Sequence, residues 1–239
     1  MADGFSEEVV LSPQTLWHIP GNVSFQQAAA LPVSFGTAML ALTDRARIQP
    51  GETVLVTAAA GALGLAAVDI AKNVYNAKVI GAAGGPEKCV LLKRKGADHV
   101  IDYTKESIRD KVKEFTGGDG VNIAFDIIGG DSFTECLKSL SWGGRILVLG
   151  FAGGDIPKIP ANLLLLKNAS AIGVYFGEHL HHNPGAMRKS VTDVLDHFAD
   201  GTITPTISAI FPLKEINDAL ENISSRKSVG KIVLNVLQR

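Results

Sequence analysis

Short apolar runs alternate with stretches of helical spacing through most of the chain. The runs lie at residues 53–57 ("TVLVT"), 78–81, 99–102, 121–128, 145–150 and 170–176. Between the first two, Leu63, Ala66, Ala67, Ile70, Ala71 and Val74 recur at the positions of one helix face. The next helix opens at Pro86, suited to a first helical position, and closes at Gly96. A third opens after Thr104, a candidate N-cap, and ends at Gly117-Gly118. A fourth opens near Asp131 and ends at Trp142-Gly143-Gly144. Strand alternating with helix predicts parallel strands joined by right-handed crossovers. Runs such as "NIAFDII" and "RILVLG" are apolar at successive positions, as a sheet covered on both faces requires. The predicted fold is α/β, a doubly wound parallel Rossmann-type sheet, with ligands beyond the carboxyl ends of its strands.

The ends do not fit this unit. "FSEEVVLSPQTLWHIP" reads as an extended segment and a turn, and residues 208–237 as strand, helix, turn, strand. Both flanks suggest parts of a smaller second domain. With 46% hydrophobic and 20% charged residues, the chain has the composition of an ordinary globular protein. Its net charge of −1 gives no reason to expect nucleic acid or anionic lipid as a partner. No apolar run approaches the roughly 20 residues that span a bilayer. The acidic start "MADGFSEEVV" is neither a secretory signal nor a transit peptide. The expected compartment is the cytoplasm, or the mitochondrion if a transit peptide has been cut away. Cys89 and Cys136 sit in helical patterns without metal-spaced partners and read as reduced core residues.

Candidate chemistry enters at Ala59-Ala60-Gly61-Ala62-Leu63-Gly64. A dinucleotide fingerprint asks for G-x-G-x-x-G after the first strand; here the second and third glycines stand and the first is Ala59. Taken alone, this turn is equally served by close strand–helix packing. Its place favours phosphate: it follows a strand, opens a helix and starts a doubly wound unit. An NAD site has an acidic residue about 20 positions on, bonding the ribose. That place holds Ala82-Ala83-Gly84-Gly85, with no carboxylate. Lys88 and Tyr103 follow at the next helix and strand end, where both could reach a 2′-phosphate. A solvated lysine and an edge-packing tyrosine are the plainer readings. Their coincidence opposite a missing acid favours NADPH.

The segments "AAALPVSFGTAMLAL", "RARIQPGETVLVTAAAGALGLAAVDIAK", "GADHVIDY", "GGDGVNIAFDIIGGD", "LSWGGRILVLGFAGGDIPKIPANLLLLKN" and "RKSVGKIVL" resemble the quinone oxidoreductase branch of the medium-chain dehydrogenase/reductase superfamily, related to zeta-crystallin. The resemblance covers nearly the whole chain. It implies that Gly61, Ala62, Leu63 and Gly64 form the pyrophosphate turn, and that Gly84, Lys88 and Tyr103 line the 2′-phosphate. It puts Thr37, Leu149, Gly150 and Phe151 beside the nicotinamide and Arg226 near the cofactor. It further implies hydride transfer to a quinone or conjugated carbonyl, independence of zinc, and a homodimer through the edge strand at 170–176. Members begin with a GroES-like catalytic domain, of which residues 1–24 resemble only the tail. Residues 25–205 then form the NADPH-binding domain, and 206–239 return to the catalytic one. A piece on the order of 100 residues, the size of a small domain, is therefore expected to be missing.

No general acid or metal set is evident. Asp126, ending the fourth strand, reads as a carboxylate bonded to nearby backbone. "GEHLHHNPG" groups His179, His181 and His182, but Pro184 and Gly185 mark the stretch as a loop. The alternative to a reductase is a catalytically silent nucleotide-binding protein of crystallin type.

Overall fold

A computed structural model describes residues 4–225 and 228–236. After a single turn at Pro13–Thr15, helices α1 (Phe25–Ala30) and α2 (Pro32–Leu40) lead into β1 (Thr53–Val56). The chain then alternates: α3 (Ala62–Asp69), β2 (Lys78–Ala83), α4 (Pro86–Arg94), β3 (His99–Asp102), α5 (Ile108–Phe115), β4 (Val121–Asp126), α6 (Gly130–Lys138), β5 (Leu140–Val148), α7 (Ala161–Lys167) and β6 (Ser170–Gly173). Helices α8 (His179–His182) and α9 (Pro184–Ala199) follow, then β7 (Ile207–Pro212), α10 (Ile216–Ser224) and β8 (Lys231–Asn235).

The first six strands form one parallel sheet in the order β3-β2-β1-β4-β5-β6. The order reverses between β1 and β4, so their carboxyl ends open the crevice in which doubly wound folds take ligands. Alternate residues of β1 serve two cores. Val54 and Val56 pack with α2, α3 and α9, whereas Leu55 packs with Phe133, Cys136 and Leu137 of α6. Strands buried on both faces need apolar residues at every position, the pattern the sequence carries. Strands β7 and β8 form a separate two-stranded parallel sheet. The chain returns to the large sheet at Gly230, whose amide donates to the Ala60 carbonyl at 3.1 Å.

Three local expectations are corrected. Helix α5 is capped by Ser107, whose hydroxyl accepts from the Asp110 amide; Thr104 instead donates to Asp102. Trp142-Gly143-Gly144 does not end a helix. Helix α6 stops at Lys138, and the three residues lie within β5, where the pairing register with β4 shifts. The histidine stretch is one helical turn, α8, rather than a loop. Cys136 is buried, and Cys89 is only half-buried on α4.

Candidate functional site

The turn after β1 is tight because two small residues let backbone meet backbone. A Cβ on Gly64 would lie 2.4 Å from the Ala58 carbonyl oxygen and 2.6 Å from the Ala59 Cα. Only glycine lets α3 cross the turn this closely. The left-handed position is not Ala59, where the fingerprint has its first glycine, but Ala58, at φ +44°. Gly61 caps α3 in extended conformation. The first-turn amides, of Ala62, Leu63 and Gly64, have no acceptor within the helix, and the dipole is positive at this end.

Gly61 also borders a cavity of about 590 Å³ at the carboxyl ends of β1 to β4. Gly84, Lys88 and Tyr103 line it as well. A Cβ on Gly84 would sit 3.2 Å from the Tyr103 ring, so glycine lets the tyrosine lie against the backbone. Asp102 fixes this corner by accepting from the Thr104 hydroxyl at 2.6 Å and the Gly85 amide at 2.9 Å. Those bonds, the threonine's foremost, hold its carboxyl below the ordinary carboxylate range.

The fold adds residues that sequence reasoning missed. Asp131, Ser132 and Glu135 of α6, with Glu106, line the same cavity. Glu106 accepts from the Asp102 amide and Glu135 from the Ile108 amide. The Ser132 hydroxyl is closed off from solvent with the Cys136 thiol, a weak acceptor, as its polar neighbour. No spacing rule links these residues to the glycine turn; the crossover after β4 brings them there.

The far wall is built from the loops after β4 and β5, which are zipped together. The amides of Leu149, Ala152 and Gly153 donate to the carbonyls of Asp126, Ile127 and Ile128, at 3.1, 3.0 and 2.9 Å. Gly130 donates to Asp155 at 3.0 Å. Beneath them Asp126 is fully buried. It accepts from the Gly129 amide at 2.9 Å and the Thr57 hydroxyl at 2.9 Å, while Thr57 accepts from the Ile127 amide. The carboxylate is bonded to nearby backbone, as expected, and to Thr57 besides. Burial pushes its carboxyl above the ordinary range, against the pull of those donors.

The 149–153 loop divides two cavities. Ala152 and Gly153 face the first. Leu149, Gly150 and Phe151 line a second, of about 580 Å³, with Tyr175, His179 and His182. Thr37, half-buried on α2, lines neither. Arg226 lies outside the described residues. Among the described residues no three His, Cys, Asp or Glu side chains converge as a metal site would require.

Comparison with known proteins agrees with this fold. Residues 62–196 match the family model described as zinc-binding dehydrogenase. Quinone oxidoreductase-like protein 2 of Mus musculus is 53% identical over 97% of this chain and 66% of its own. The homolog in Nematostella vectensis is 53% identical over 98% of this chain and 64% of its own. The chain thus spans about two thirds of the length of these relatives. Among solved structures, the quinone oxidoreductase of Thermus thermophilus, also solved with NADPH, superposes with a TM-score of 0.85. It is 32% identical and is covered over 98% of this chain and 74% of its own. The chain belongs to the zinc-binding dehydrogenase family, in the quinone oxidoreductase-like branch of the medium-chain dehydrogenase/reductase superfamily.

Proposed function

We propose that this chain binds NADPH along the carboxyl edge of its six-stranded sheet and serves an oxidoreductase that passes hydride to a quinone or another electron-poor conjugated carbonyl. One observation carries the reading: Gly84, Lys88 and Tyr103 share a single cavity with Gly61 at the amino end of α3. The residues fit a dinucleotide. The cavity's backbone floor is glycine where a Cβ would intrude, and its wall holds a buried serine hydroxyl with only a weak neighbour. The end of β2 holds Ala83 in place of a carboxylate, and of the three acids that line the cavity, Glu106 and Glu135 each accept from a backbone amide.

In this reading the first-turn amides of α3 hold the pyrophosphate. Lys88 supplies a cation and Tyr103 a hydroxyl to the 2′-phosphate. Leu149, Gly150 and Phe151 flank the nicotinamide, with Thr37 near that end. Bound NADPH supplies the hydride, and the chain supplies position and exclusion of water. The zipped loops hold the segment that carries Phe151 at the wall of the second cavity. Residues 25–205 form the nucleotide-binding domain; 1–24 and 206–239 belong to a GroES-like domain. The edge strand β6 joins two copies.

The test is NADPH consumption against a panel of quinones and enones. Substrate-dependent loss of NADPH absorbance supports the reductase. Binding without turnover, in this chain and in the full-length relatives alike, assigns the silent nucleotide-binding role instead.

A further inference from the structure

The amino-terminal edge of the sheet, opposite both cavities, carries a different surface. Helices α5, α6 and α7 all end there. Arg109 and Lys113 of α5, Lys138 of α6 and Lys167 of α7 surround a recess of about 420 Å³, with Asp119 as its carboxylate. Among the described residues, none of the four cations lies within ion-pair distance of an acid. Lys167 donates to the Leu140 carbonyl at 2.6 Å, and burial together with Arg109 holds its ammonium below the ordinary lysine range. Cations at helix carboxyl ends answer the dipoles. That accounts for the three lysines, but not for what stands beside them.

Trp142 and Leu166 line the same recess, 76% and 68% exposed, and Leu165, the residue before Leu166 on α7, is 79% exposed. Trp142 is presented by the irregular start of β5, just before Gly143 at φ +72°. A tryptophan and two leucines held in water, ringed by unpaired cations, form an amphipathic surface. Tryptophan is at home where one end is apolar and the other wet, and lysine and arginine lay apolar stems beside it.

We propose that this face docks on an anionic phospholipid bilayer, with Arg109, Lys113, Lys138 and Lys167 at the headgroups and Trp142, Leu165 and Leu166 in the boundary layer. Charge complementarity selects this occupant. A second copy meeting the same patch across a two-fold axis would bring four like charges against four. A bilayer of anionic lipid supplies the opposite sign and an apolar layer at one surface. The chain's net charge of −1 conceals the patch, in which four cations share the recess with one lining carboxylate, Asp119, while Glu106, Asp131 and Glu135 line the cavity at the opposite edge. The proposal concerns surface docking; no described helix is long and apolar enough to cross a membrane. It does not depend on the proposed activity.

The test is co-sedimentation with vesicles of phosphatidylcholine alone and of phosphatidylcholine with phosphatidylserine. The chain is expected to partition onto the anionic vesicles at least about tenfold more strongly, and to be released by roughly 1 M salt, where the Debye length falls to about 3 Å. The double reversal K113E/K138E should lower that partition by about a hundredfold, since each charge near the surface contributes appreciably. Tryptophan emission should shift to the blue on anionic vesicles in W17F and fail to shift in W142F, which reads the contact directly in a folded chain. Equal partition onto both vesicles overturns the proposal, as does a shift that survives in W142F. So does a patch covered by a second copy, shown as a dimer that W142E converts to monomer by light scattering.

Discussion

Gly64 is the residue on which the nucleotide end rests most directly. With its would-be Cβ 2.4 Å from a carbonyl oxygen, Gly64→Ala must push α3 off the turn. Overpacking of this kind costs about 1–3 kcal/mol. The melting temperature should fall by several degrees, and nucleotide binding should weaken with it. Ala58→Gly makes the control. It relieves a left-handed alanine but adds chain entropy, two effects of about 1 kcal/mol that oppose each other, so the melting temperature should barely move. Lys88 tests specificity rather than fold. A charge-assisted hydrogen bond to a 2′-phosphate is worth about 1.5–3 kcal/mol. Lys88→Ala should therefore remove most of the difference between NADPH and NADH while leaving NADH affinity nearly unchanged. A variant that weakens both nucleotides equally would mean that Lys88 does not read the 2′-phosphate.

Among elements, the zipped loops after β4 and β5 depend on Asp126. Asp126→Asn turns an acceptor into a donor facing the Gly129 or Ile128 amide, and should cost about 1–3 kcal/mol. Its pH dependence has a definite sign. Burial raises the folded carboxyl above its unfolded value, so the folded state binds the proton more tightly. The contribution of Asp126 is then greatest in acid and declines as pH rises from the ordinary carboxylate range through the folded pKa. The stability advantage of the parent over D126N should narrow across that window in melts at stepped pH, and a gap that widens contradicts the assignment. This wall was only partly legible in the sequence. Apolar runs and glycine stops announce themselves through composition, so all six strands of the large sheet were readable, β6 among them although none of its residues is buried. The start of β5 was not, because Trp142-Gly143-Gly144 has the chemistry of a turn while the ladder resumes through it. Nor were Asp131, Ser132 and Glu135, which reach the cavity through long-range packing of α6 rather than through any local pattern.

In the whole molecule, β6 stands at the open edge of the sheet, and Tyr175, two residues past its end, is largely exposed. Unpaired edges recruit other strands. The chain should measure as a dimer by light scattering at micromolar concentration, and a monomeric mass would remove the proposed pairing. The same architecture sets the reach of a ligand. From Lys88 and Tyr103, past the amino end of α3, to Phe151, the candidate residues follow one edge of one sheet, with the 149–153 loop between its two cavities. The central claim is that a phosphorylated dinucleotide lies along that edge, and calorimetric titration of the chain with NADPH and with NADH addresses it most directly. Saturable binding of both is expected, with NADPH tighter by at least about tenfold, the factor that 1.4 kcal/mol represents. Absence of saturable binding by either nucleotide would contradict the account.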